Sequence, residues 1–146
     1  MTPRFAALVS GEGWHVADLQ RAAGKLDVSL HVASFTEVAA RLGPGAGGVS
    51  VDGLELDAMD GVLVRMMPPG GLEQVVFRMD ALLRLEEVGV PVWNPPRAVE
   101  TSVDKYLTLS RLERRRLPVP ATWTGQTAVS ALKAFDALGG DVGVEP

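Results

Sequence analysis

The chain has no cysteine among its 146 residues, which excludes disulfides, thiolate catalysis and cysteine-held zinc together. No apolar run approaches the ~18 residues that a membrane-spanning helix requires, and Met1-Thr-Pro-Arg4 lacks the basic and apolar regions of a secretory leader. The expectation is a cytoplasmic protein with no membrane partner. Positive charge is also short. The net charge of -4 argues against a nucleic-acid partner or a membrane-surface role, because both depend on a basic face.

Two phosphate-binding signatures are incomplete. Gly43-Pro-Gly-Ala-Gly-Gly48 is rich in glycine, yet no Gly-Lys-Ser/Thr follows it, so it reads as a solvated connection rather than a P-loop. Ser10-Gly11-Glu12-Gly13 follows an apolar run, but Val16 stands where a dinucleotide fingerprint has its third glycine. The plain reading is a tight turn. His15 and His31 are isolated, and lone histidines are weak evidence for metal or base chemistry.

What is present is globular in composition. An apolar fraction of 47% and a charged fraction of 22% are ordinary for a folded domain, and the 16 glycines and 10 prolines indicate many tight connections. The length fits one domain, or one domain and part of another. Phe5 to Val9 reads as a strand, Val16 to Gly24 as a helix, Val28 to Ala33 as a second strand and Thr36 to Leu42 as a short helix. This alternation predicts an α/β fold with a mostly parallel sheet and helices on both faces. Val49 to Leu56 reads as a hairpin turning at Asp52-Gly53, and Gly61 to Val64 as a buried strand.

That strand delivers Arg65 at its C-terminal end, where open parallel sheets bind ligands. A guanidinium suits a carboxylate. It can equally be a surface charge or an ion-pair partner. The longest helix is predicted from Gly71 to Val88, with Leu72, Val75, Val76, Met79, Leu82 and Leu83 on the core face and Glu73, Arg78, Arg84 and Glu87 opposite.

Val90 to Trp93 ends this layer as its last strand. The prolines at 95 and 96 then suggest a hinge over residues 95–100 between a first domain, 1–94, and a second beginning at 101. Thr101-Ser-Val-Asp104 reads as a capping box. It opens a helix with Lys105 in its first turn, burying Val103, Tyr106 and Leu107, with Ser110 a further candidate, and closing on Arg114-Arg-Arg116. A cation there is disfavoured by the helix dipole by a few tenths to ~1 kcal/mol. A bound anion reverses that sign, so nucleotide phosphate is the first functional idea; the alternative is a surface lysine lying along its own stem. Beyond, Thr122 to Thr124 reads as a strand, Ala128 to Leu138 as a helix and Asp141 to Glu145 as a strand.

Arg65-Met-Met-Pro-Pro69, Trp93-Asn94, Asp104-Lys105 and Leu117-Pro-Val-Pro-Ala-Thr122, in that order and spacing, resemble the N-terminal part of ATP-grasp ligases. The likeness is greatest to RimK-type α-L-glutamate ligases and bacterial glutathione synthetases. The resemblance implies a Rossmann-like pre-ATP-grasp domain followed by the first elements of an ATP-grasp domain over 101–146. It implies ATP, Mg2+, a carboxylate acceptor and an amino acid as partners, and leaves room for a homo-oligomer. In such enzymes ATP converts a carboxylate to an acyl phosphate, and an amine displaces the phosphate. By position Lys105 matches the family's first ATP-contacting lysine. Arg65, Pro68 and Pro69 match the segment that faces the substrate.

Two departures stand beside it. Glu145 occupies the position of the family's second ATP-binding lysine, where a carboxylate would repel phosphate. The glycine-rich lid, the phosphate-contacting arginine and the acidic Mg2+ ligands of the family would all lie downstream of residue 146. The expectation is therefore the N-terminal portion of an ATP-dependent carboxylate-amine ligase that adds an amino acid, with glutamate the leading candidate, to a carboxylate acceptor, inactive alone and holding no catalytic or metal-binding residue itself. The alternative is a truncated or degenerate non-catalytic module of the same fold that binds a small molecule or a protein, which Glu145 favours.

Overall fold

The structure, a computed structural model, describes residues 1–45 and 47–144. They fall into two compact units, Met1–Glu100 and Thr101–Pro146. In chain order the first unit contains β1 (Arg4–Val9), α1 (Trp14–Leu26), β2 (Ser29–Ser34), β3 (Val38–Arg41), β4 (Gly48–Val51), β5 (Leu54–Glu55), β6 (Gly61–Val64), α2 (Leu72–Glu87) and β7 (Val92–Trp93). Next comes α3 (Pro96–Val103), and the second unit carries α4 (Lys105–Arg114) and α5 (Ala128–Ala137).

The strands β2-β1-β6-β7 form one sheet in that order, with every pairing parallel. The α/β class expected from the alternation is thus what forms. Parallel strands buried on both faces read as continuous apolar runs, and β1 shows it, since Ala6 to Val9 are all buried. Ala6 and Leu8 face one core with Val62, Val64 and Val92, closed over by Leu82 and Leu85 of α2 and by Val49 and Val51 of β4. Ala7 and Val9 alternate to the opposite face, where Val16 and Ala23 of α1 are the buried helical residues.

Three expectations for this unit need correction. Residues 36–42 are not a helix. A 3-10 turn over Phe35–Glu37 leads into β3, which pairs antiparallel with β4 from Val38 opposite Val51 to Arg41 opposite Gly48. Ala39, Ala40 and Arg41 favour a helix locally, but β4 offers an open edge, and strand pairing there overrides propensity. The buried side of α2 is rotated from the predicted stripe: Arg78, Ala81, Leu82 and Leu85 are buried, while Leu72, Val76 and Leu83 are exposed. Finally, residues 95–100 are not an open hinge, because α3 begins at Pro96 and its Val99 joins the core of the first unit. A proline at a first helical position loses no intrahelical bond.

The predicted hairpin forms as drawn, between β4 and β5. Asp52 and Gly53 both have positive φ, 49° and 78°, the pair of values that a two-residue turn with right-handed strand twist requires.

In the second unit α4 is capped by Asp104, whose carboxylate accepts from the Leu107 N–H at 2.8 Å; Thr101 lies inside α3 instead. Val103 and Tyr106, expected in a core, are exposed. Thr127 caps α5 by accepting from the Ser130 N–H at 3.1 Å. Neither 122–124 nor 141–144 is a strand. A strand needs a partner to satisfy its backbone groups, and none is supplied among the described residues of this unit. None of those residues reaches full burial, and Trp123, Val129, Leu132 and Phe135 remain exposed.

Candidate functional site

The parallel sheet sends the ends of β1, β6 and β7 to one edge. There the Arg65 N–H donates to Leu8 O at 3.0 Å, the Ser10 hydroxyl meets the Met66 sulfur at 2.9 Å, and the Asn94 Nδ2 donates to Val64 O at 3.3 Å. These bonds tie three strand ends into one platform. Arg65 stands on it exposed, and its guanidinium makes no hydrogen bond or ion pair with any described residue. Of the readings left open by sequence, an ion pair with a described residue is therefore removed, while a ligand contact and a bare surface charge remain.

The connection from Arg65 to α2 includes Met66-Met67-Pro68-Pro69-Gly70. Two consecutive prolines offer no N–H, so the segment has few donors of its own. Arg78 supplies the missing one. Its side chain is only 5% exposed, and Nη1 donates to Pro68 O at 2.8 Å and reaches Pro69 O at 3.5 Å. Gln74 Oε1 accepts from the Gly71 N–H at 3.0 Å and closes the entry to α2. Arg78 was expected on the solvent face. What turns it inward is the pair of proline carbonyls, a signal present in the sequence only as the Pro-Pro dipeptide.

A cleft of about 310 Å³ lies beside this platform, between the start of α1 and the ends of β6 and β7. Arg65, Asn94, Trp93, Leu63, Trp14 and His15 are among the residues that line it. Pro68 and Pro69 are not, so the cleft gathers Arg65 with two indoles rather than with the proline turn. Trp93 packs against Phe5 with ring centroids 6.2 Å apart and planes inclined at 51°. Trp14 meets His15 edge-on at 5.8 Å. Asp18, also in the wall, is engaged by Arg21, which leaves the cleft without an unpaired acid. Trp93 was legible as a strand end and within the Trp93-Asn94 motif, and Trp14 lay outside the helix expected from Val16, because nothing local marks an indole as facing a cleft.

Lys105 belongs to the second unit, at the first position of α4. Asp104 sits beside it and caps the same helix end, so its carboxylate offsets the dipole penalty that suggested a bound anion. The helix argument for phosphate is weakened accordingly. Glu145 lies outside the described residues. Tyr106, Leu109, Val119 and Pro120 line an open hollow of about 420 Å³ in this unit. Among the described residues no group of three or more His, Asp or Glu is arranged to hold a metal ion, and no helix is long and apolar enough to cross a membrane.

No protein-family model matches the chain. Over 91 residues it is 38% identical to the tetrahydromethanopterin:alpha-L-glutamate ligase of Methanosarcina acetivorans, a match that covers 62% of this chain and 28% of that enzyme. Among solved structures it is similar to the ATP-grasp ligase PsnB bound to a minimal precursor, with a TM-score of 0.64 at 21% identity over 95% of this chain and 52% of that one. It is also similar to the macrocyclase MdnB from Microcystis aeruginosa MRC, with a TM-score of 0.63 at 12% identity over 94% and 52%. PsnB has been seen with Mg and ADP. The chain thus spans about half the length of these solved relatives. Its sequence likeness is to an α-L-glutamate ligase and its fold is that of ATP-grasp ligases, as its motifs imply.

Proposed function

We propose that this chain, with the fold of ATP-grasp ligases and a sequence similar in part to that of a glutamate ligase, serves as the acceptor-binding part of an ATP-dependent carboxylate-amine ligase. The observation that carries the reading is the 38% identity to the α-L-glutamate ligase over 91 residues, joined to an arginine that pairs with no described residue at the edge where open parallel sheets bind ligands.

In this reaction the γ-phosphoryl group of ATP passes to the acceptor carboxylate, giving an acyl phosphate and ADP. The amine of an amino acid, glutamate in the reading favoured here, attacks the acyl carbon. Phosphate leaves, and the amine gives up its proton. The contribution of this chain is positional and electrostatic. Arg65 holds the acceptor by an anionic group, the Arg78-braced connection fixes the backbone that follows it, and Lys105 meets the nucleotide phosphates. Mg2+ would neutralise those phosphates, but the described residues offer no ligand set for it.

A second reading, a non-catalytic binding module, is favoured by Glu145 alone. The test is ADP release by the full-length protein that carries this sequence, supplied with ATP, Mg2+, glutamate and carboxylate acceptors. Acceptor-dependent ADP release supports the ligase. Its absence, with binding of the acceptor retained, supports the module.

A further inference from the structure

The two sheets formed by the described residues have β2, β7, β3 and β5 as their outer strands, and three of these are blunted. β5 and β7 are two residues each, and β3 carries Arg41, which pairs with Glu55. Short strands and charged side chains are devices that keep an edge from pairing with another chain. β2 has neither. It runs for six residues, Ser29-Leu-His-Val-Ala-Ser34, and no Asp, Glu, Lys, Arg or Pro occurs from Val28 to Thr36 in a chain that is 22% charged. Its backbone pattern says which groups are open. The Ser29 N–H donates to Pro3 O at 2.8 Å, and alternate residues of a parallel strand bond to opposite sides. Ser29, His31 and Ala33 therefore serve β1, while the N–H and C=O groups of Leu30, Val32 and Ser34 point out of the sheet, where no described strand meets them. The side chains of Leu30 and Val32 are half-buried on the α1 face, in register with Phe5 and Ala7.

We infer that β2 is a self-association edge, which pairs antiparallel with β2 of a second copy of this chain about a two-fold axis at Val32. Only residues whose backbone faces outward can exchange bonds, so this axis sets Val32 opposite Val32 and Leu30 opposite Ser34 of the other copy, with roughly six hydrogen bonds between the chains. All three open residues are engaged. An axis at His31 would instead set Ser34 against Val28, whose N–H is already donated to Ala23 O at 3.2 Å. The electrostatics select the occupant. Two uncharged strands bring no like charges together, whereas a charged foreign strand finds no counter-charge on β2. Pairing also covers the outer sides of Leu30 and Val32, and a two-fold contact of this kind closes at two copies. Two short strands bury less than the roughly 1,200–2,000 Å² of a standard interface. The dimer is accordingly weak, with a Kd of about 10 µM to 1 mM. The inference stands apart from the ligase reading, since neither Arg65 nor Lys105 takes part.

The test is sedimentation equilibrium of the 146-residue chain from about 10 µM to about 1 mM, the range that brackets the expected Kd. A monomer–dimer equilibrium is expected. Val32→Pro removes an N–H that points away from β1, so it should abolish the dimer while the ladder to β1 stays intact. His31→Lys, at an exposed position, puts a cation on the edge and should weaken the dimer by about tenfold or more. A third variant reads the register directly. The chain has no cysteine, so Val32→Cys can form a disulfide only between copies, and pairing on the axis brings the two thiols within reach. Under mild oxidation it should cross-link at least about tenfold faster than Ala39→Cys on exposed β3. A chain monomeric throughout the range overturns the inference. A dimer that resists His31→Lys, or equal cross-linking of the two cysteine variants, overturns it as well and assigns any association to another surface. Should Val32→Pro fail to fold by circular dichroism, these two variants decide alone.

Discussion

Arg78→Met should loosen the segment that follows Arg65 while leaving the sheet intact. The arginine places a cation in a site that is 5% exposed, with proline carbonyls as its hydrogen-bond partners. A hydrogen bond from a charged donor contributes about 1.5–3 kcal/mol, and a buried carbonyl stripped of its donor costs about 1–3 kcal/mol. Methionine keeps most of the apolar stem and removes the cost of burying a charge, which offsets part of the loss. The net expected destabilisation is about 1–2 kcal/mol, or a urea midpoint lower by roughly 0.5–1.5 M. Hydrogen exchange at the Gly71 amide, which donates to Gln74 Oε1, should accelerate more than exchange in β1, since local opening precedes global unfolding. Arg78→Lys should fall between the two. An unchanged midpoint together with unchanged exchange at that amide would refute the bracing role.

Other substitutions separate packing from chemistry. Leu82→Ala, on the buried face of α2, should cost about 2–5 kcal/mol in a denaturant melt, whereas Leu83→Ala on the exposed side should stay within about 0.5 kcal/mol; similar losses for both would contradict the observed helix face. Gly61→Ala puts a Cβ 2.5 Å from the Trp93 ring and should cost about 1–3 kcal/mol with a changed tryptophan emission, and a melt and spectrum like the parent's would refute the contact. In the full-length protein, calorimetric titration with MgATP should show Lys105→Ala weakening and Glu145→Lys tightening the nucleotide by about tenfold, as expected for a screened charge contact. Unchanged affinity in both variants would remove these side chains from the phosphates.

The layer fold was legible because its strands are apolar runs between turn residues, and Gly61 to Val64 needed no tertiary information. Residues 36–42 were misread because their alanines and arginine prefer helix, and only the free edge of β4 makes them a strand. The same limit applied to α2. Its sequence carries apolar residues around more than one face, so periodicity alone chose the wrong side for Arg78. At the site, Arg65 could be found from its place after a strand, since position alone carries that argument. Trp14 and Trp93 could not, because their place in the cleft depends on Gly61 and on the way three strand ends converge. The strands expected beyond residue 120 failed for a different reason. Extended backbone requires a neighbour, and none is present among the described residues there.

The most direct test of the account is the kinetic effect of Arg65→Ala in the full-length protein that carries this sequence. Acceptor and ATP concentrations are varied separately, with ADP release as the readout. Loss of a charge-assisted pair to the acceptor, about 1.5–3 kcal/mol, corresponds to a rise in acceptor KM of roughly tenfold or more. The KM for ATP should stay within about twofold, because uniform binding lost for one substrate leaves the other untouched. Equal rises for both substrates, or a rise confined to ATP, would contradict an acceptor site at the end of β6.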